Sequence, residues 1–192
     1  GSTYGRGDWW YGPKTIPRER LQQMGKLSAR DREIESEKEG IRQGLLFPFT
    51  TSEGIYHCPG DKRISSASPT LTFVSYSGAG GMNGEQSGLS VKSISAIVNP
   101  SGKYVYVEES DPRQYNMGSW IISMGAGSNW IDPVAPWHND YSTLSWADGH
   151  ATTKRWLSEN TKKAARNTVG TPSRPGTFSF GFYDKDNRDI MY

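Results

Sequence analysis

An α+β fold, with an N-terminal helical region packed beside an antiparallel β-sheet, is what this sequence predicts, on three observations. Isolated apolar residues recur at helical spacing among charged ones between residues 18 and 45. Short β-branched and aromatic runs separated by turn formers follow. The stretch from Leu144 to Thr153 then reads as a β-hairpin bent at Asp148-Gly149.

Residues 3–17 are rich in Gly, Pro and aromatics, with Tyr4, Trp9, Trp10 and Tyr11, and read as an ordered loop or early strand fragment. Pro17 suits the first turn of a short helix through Met24, ended by Gly25. Ser28-Ala29-Arg30-Asp31 has the character of a capping box. Ile34, Ile41 and Leu45 then mark the inner face of a second helix. Its charge run, Glu35 and Glu39 included, reads as a solvated face.

Leu71 to Tyr76 and Tyr104 to Val107 read as strands, and Gly78 to Gly88 as a glycine-rich loop. Residues 91–99 suit a short helix or a strand, and Asn99-Pro100-Ser101-Gly102 a turn. Trp120-Ile121-Ile122 is a further strand candidate in an irregular stretch, residues 111–136. In the hairpin, Asp148-Gly149 is expected as a two-residue type I′ turn, which needs positive φ at both central positions. That register sets Ala151 opposite Trp146 and Thr153 opposite Leu144. Phe178, Phe180 and Phe182 alternate in a last edge-strand candidate.

Composition narrows the function classes. The chain has 192 residues, 22 of them Gly, and 22 basic against 20 acidic residues give a net charge of +2. So small a charge makes no electrostatic case for nucleic acid or an anionic membrane surface. No run approaches the roughly 20 apolar residues of a transmembrane helix. The lone Cys58 excludes an intrachain disulfide framework and reads as a small buried hydrophobe at a strand end. Gly1-Ser2 reads as an expression scar, leaving residues 3–192 as one globular domain.

Five blocks carry a family resemblance over residues 45–157. His138, nine residues, then Asp148-Gly149 resembles the C-terminal H-x9-DG signature of pilin-like proteins of the type II secretion pseudopilin kind. Those proteins carry an N-terminal prepilin cleavage/methylation segment. Ile55 to Asp61, with Cys58, Pro59 and Asp61, is similar to the family's apolar-x-C-P-x-D block. Ser75-Tyr76-Ser77 with Met82-Asn83-Gly84 resembles its S-Y-x-x-N region. Ile94 to Pro100, then Tyr104 to Glu109, resembles its strand ending in acidic residues.

The resemblance implies a pilin-like fold and a non-enzymatic, structural subunit of the cell envelope. Its periplasm-facing or surface-exposed head would assemble with other pilin or pseudopilin subunits and secretion assembly proteins. A membrane-anchoring helix, absent from this sequence, would carry that assembly. No cofactor is implied beyond calcium, which major pseudopilins hold near the C-terminus. Asn187-Arg188-Asp189-Ile190 with Tyr192 resembles that ending and makes Asp189 a calcium candidate, although the glycine-rich ligand loop is missing.

Other chemistry is weighed beside it. Trp9, Trp10 and Tyr11 could stack on sugars as a carbohydrate-binding module or cover the core edge. His138, Asp140, Asp148 and His150 could ligate a hydrolytic metal if their segments fold together. Otherwise Asp148 serves its turn, and His138 pins the preceding loop to backbone or to that turn. Glu109 with Asp148 would be a glycosidase pair only at a fixed separation. One of Glu108 and Glu109 is expected inward, where a carboxylate needs a partner. Asp184, Asp186 and Asp189 form a loose oxygen-ligand cluster without an EF-hand pattern. The G-x-S-x-G motif is absent, and Gly78-Ala79-Gly80-Gly81 lacks the frame of a phosphate loop.

Overall fold

Ser28 opens the principal helix among the described residues. Its hydroxyl accepts the Asp31 N–H at 3.1 Å and donates to Asp31 Oδ2 at 2.7 Å, so one orphan backbone donor is satisfied. A computed structural model describes residues 18–63, 73–82, 91, 93–110, 118–123, 129–130, 132–159, 161–162 and 165. The chain is α+β and divides into two units, residues 1–75 and 76–192.

In the first unit, α1 (Arg18–Met24) and α2 (Ala29–Arg42) form where helical periodicity and the cap place them. A four-residue helix, α3 (Phe47–Thr50), and a 3-10 turn at Glu53–Tyr56 follow. The charge run on α2 is not simply solvated. Glu39 is buried, and Arg42 binds it at 2.9 Å and Glu53 at 2.5 Å. Burial raises the carboxyls of Glu35 and Glu39. Hydrogen bonds from Lys38, Gln43 and Arg42 outweigh it, and both stay below the usual carboxylate range.

The second unit is built on a five-stranded sheet in the order β3-β1-β2-β6-β7. Its strands are β1 (Tyr76–Ala79), β2 (Tyr104–Glu108), β3 (Ser119–Trp120), β6 (Tyr141–Trp146) and β7 (Ala151–Arg155). Two short strands, β4 (Ile122–Ser123) and β5 (Asn129–Trp130), pair separately. The sheet is mixed rather than antiparallel, because β3 runs parallel to β1. The chain leaves β2 at the end where β1 begins. Passing to the far side of β1 therefore brings β3 in parallel to it.

β1 starts where the predicted strand ends, and it takes in Gly78 and Ala79, which the sequence suggests as loop. Ser77, Gly78 and Ala79 are buried in this interior strand. Tertiary position overrides their weak β-propensity. Residues 94–96 form a 3-10 turn, and Asn99, at φ 55°, opens another at Pro100–Gly102. Val107, Trp120, Val134, Leu144, Trp156 and Ala165 make the core, with Tyr104 and Trp146 packed on it. Burial pushes the Tyr104 hydroxyl up to about 12.

The hairpin forms, with a different turn. Gly149 has φ +95°, while Asp148 is not in the positive-φ region. The Gly149 N–H donates to Trp146 O at 3.0 Å, and the Trp146 N–H to His150 O at 2.9 Å. This is a three-residue loop, a type I turn closed by a left-handed glycine that makes a G1 bulge. The extra loop residue moves the register by one. Ser145 faces Ala151, and Leu144 faces Thr152, so Thr152 rather than Ala151 or Thr153 shares the face of Leu144 and Trp146. Trp146 Nε1–H accordingly donates to Thr152 Oγ1 at 2.8 Å.

A Cβ added at Gly149 meets nothing within 4 Å, so only its backbone conformation resists substitution. Gly149→Ala is expected to cost about 1–2 kcal/mol in chemical denaturation, and Gly149→Asn less, because Asn tolerates the left-handed region. Unchanged stability in Gly149→Ala would contradict this turn.

Candidate functional site

A type I′ turn does occur in the chain, at His138-Asn139-Asp140-Tyr141. Asn139 (φ 56°) and Asp140 (φ 69°) are its central residues, a pairing whose short polar side chains suit the left-handed region. His138 and Tyr141 exchange backbone hydrogen bonds of 3.3 Å across it. The turn is held from outside as well. Asp140 O accepts the Trp156 N–H at 2.8 Å, and Asp140 Oδ2 lies 3.6 Å from Lys162 Nζ.

This turn aims His138 at β2. Its Nε2 lies 3.1 Å from Glu108 Oε1, and the other carboxylate oxygen accepts the Thr143 N–H at 2.9 Å. Glu108 is fully buried, whereas the His138 side chain is 39% exposed. Thr143 lies one residue past the last register pair of β2 and β6, Val107↔Leu144. The carboxylate thus supplies an acceptor where the ladder ends. His138 therefore pins β2, not its own loop or the hairpin turn as the sequence suggests. Nearby, Ser142 Oγ accepts Trp156 Nε1–H at 2.7 Å and donates to Ala135 O at 2.5 Å.

Both carboxylates at the end of β2 are buried, not one of the two. Glu109 leaves the strand to bridge Val134, so strict alternation ends at Glu108. Asp148 sits at the opposite end of the β2–β6 ladder, near the Tyr104↔Trp146 pair. At about 3.4 Å per residue, the length of β2 separates Glu109 from Asp148 by far more than a glycosidase pair allows.

The four-ligand metal arrangement does not assemble. His138 and Asp140 precede β6 while Asp148 and His150 follow it. Six strand residues put about 20 Å between the pairs. At the tip, Asp148 Oδ1 accepts the His150 N–H at 3.2 Å and lies 2.5 Å from His150 Nδ1. The side-chain hydrogen bond from His150, first among its causes, holds the Asp148 carboxyl below its usual range. His150 also stacks on Trp146, ring centroids 5.5 Å apart.

In the first unit, Cys58 is buried in a turn rather than at a strand end. The Asp61 N–H closes that turn onto Cys58 O at 2.9 Å, and Cys58 Sγ accepts the Gly60 N–H at 3.3 Å. Pro59 is the second residue of this turn, a position its fixed φ suits. Asp61 is buried against Arg63, with Nη2 2.7 Å from Oδ2, and it accepts Ser75 Oγ–H at 2.7 Å. Ser75 Oγ also accepts the Cys58 N–H at 3.0 Å.

Ser75, His57 and Asp61 thus meet, a grouping the sequence gives no reason to single out. It is wired as a clamp. The serine proton goes to Asp61. His57 Nδ1 faces the Phe73 carbonyl at 2.7 Å, so this nitrogen carries the ring proton and cannot take another from serine. The partner that sequence reasoning missed for His138 is Glu108. Its signal was an acidic residue closing an apolar strand, which has to find a donor once buried.

Trp9, Trp10, Tyr11, the Phe178–Phe182 strand, Asp184, Asp186 and the calcium candidate Asp189 lie outside the described residues. Among the described residues, no helix is long and apolar enough to cross a membrane. No protein-family model, curated protein or solved structure matches the chain.

Removing His138 leaves Glu108 buried with one fewer donor. His138→Ala is expected to lower stability by about 1–3 kcal/mol. Glu108→Gln with His138→Ala should cost less than the sum of the two single changes, because the charge goes with its partner. Strict additivity in denaturant titrations would break the proposed coupling.

Proposed function

We propose that this chain is the pilin-like globular head of a pilin or pseudopilin subunit, a structural component of a type II secretion or type IV pilus-like assembly. The observation that carries the reading is the use made of the H-x9-DG residues. His138 holds the end of β2 through Glu108, and Asp148-Gly149 turns the hairpin at the far end of β6, the strand that follows His138. A signature spent on internal shape suits a protein that works by presenting surfaces. The Cys58-Pro59-Gly60-Asp61 turn, tied to Ser75 through Asp61, uses the second block in the same way.

In this reading the head faces the periplasm or the cell surface. Its partners are other pilin or pseudopilin subunits and secretion assembly proteins, reached through a leader-derived apolar helix. The subunit does no chemistry of its own, and calcium at Asp189 is its one candidate ligand. The test is made on the product of the native gene, co-expressed with a prepilin peptidase. Cleavage and N-methylation of a leader, extraction with the inner membrane and crosslinking to neighbouring subunits are expected. A product that is neither processed nor membrane-associated would sink the assignment.

A further inference from the structure

β7 is the outermost strand of the five-stranded sheet, and its two edges are not alike. The Trp146 N–H to His150 O bond makes residues 146 and 150 a hydrogen-bonded pair. By alternation, 144–152 and 142–154 are hydrogen-bonded pairs too. The backbone groups of Thr152 and Lys154 therefore point at β6. Those of Ala151, Thr153 and Arg155 point away from the sheet. All three residues are exposed, and among the described residues nothing is bonded to these outward groups.

Open edges of this kind are usually blunted by a very short strand, charged side chains, proline, a bulge or an inward charge. In β7 the charged side chains are confined to Lys154 and Arg155, and residues 151–153 carry neither charge nor proline. The cations sit at one end only and lean back onto their own unit, Lys154 over the Trp156 ring at 5.3 Å and Arg155 over the Tyr141 ring at 6.0 Å.

We infer that the β7 edge is a docking surface for a second copy of this chain, pairing antiparallel about a two-fold axis through Thr153. The strand complements itself in this register. Thr153 meets Thr153 of the other copy, and Ala151 meets Arg155 in both directions, so every outward residue of one strand exchanges its N–H and C=O with one of the other. Thr152 lies opposite Lys154. Each cation thus faces a small neutral residue, and the central threonines form a favourable cross-strand pair. A parallel arrangement would instead bring the Lys154-Arg155 ends of both copies together. The contact is isologous and closed, joining two sheets into one without leaving a new edge at the joint. It draws on the edge alone and does not rest on the pilin-like reading.

The test is sedimentation velocity of the 192-residue chain over a range of concentrations. A concentration-dependent dimer is expected. Thr153→Arg sets like charges opposite each other on the axis and should weaken association at least about tenfold at low salt, with recovery at high salt. Its far-UV spectrum should not change, and neither should its melting in dilute solution where the chain is monomeric, because Thr153 uses no backbone group to hold β6.

Thr153→Cys should give a disulfide-linked dimer on mild oxidation, its Cα separation of about 5.5 Å being within disulfide range. Thr152→Cys, whose counterpart is Lys154, should not, and the buried Cys58 does not compete. A monomer at every concentration, a dimer indifferent to Thr153→Arg, or equal crosslinking at 152 and 153 would each overturn the proposal.

Discussion

The second unit depends on one buried carboxylate. Glu108 lies where β2 runs out and the chain turns away toward Val134. A charge in that position is tolerable only if donors come to it. Among the described residues two do, and both arrive from the segment around the start of β6: the Thr143 N–H and the His138 imidazole. The first continues the β2–β6 ladder by one bond. The second requires the chain to reverse tightly just before β6, which the paired left-handed residues Asn139 and Asp140 accomplish. Strand end, turn and imidazole are then three consequences of burying one acid.

The surrounding contacts extend the same constraint. Once the turn is placed, Asp140 offers its carbonyl to the Trp156 N–H, and the indole of Trp156 reaches Ser142. Trp156 is fully buried and packs with Leu144, Val107 and Trp120. Polar anchoring and apolar packing therefore meet at the same residues. The anchoring fixes the strand positions, and the packing supplies most of the free energy of burial.

How far the sequence could be read depended on the range of the interaction. Local signals were legible. Ser28 caps α2, Asn99-Pro100 opens a turn, and the hairpin between Leu144 and Thr153 forms. The turn type was not. Asp-Gly suits both a two-residue loop and a type I turn with a G1 bulge, and the choice moves the facing strand by one residue. Asn139-Asp140, two residues that tolerate the left-handed region, makes its type I′ turn in a stretch where the sequence gives no strand on the near side. One of Glu108 and Glu109 was legible as a buried acid, without its partner, and both are buried. His138 lies 30 residues from Glu108 in sequence, and only the sheet brings the two together. The parallel β3 and the buried glycine of β1 are likewise products of topology, which short windows do not contain.

Amide hydrogen exchange at Thr143 tests the central claim most directly. With Glu108 as its acceptor, this N–H should exchange as slowly as the ladder amides of β6, and Glu108→Ala should free it while Leu144 and the hairpin remain protected. Exchange at the rate of a surface amide in the unaltered protein, or protection that survives loss of the carboxylate, would contradict the account.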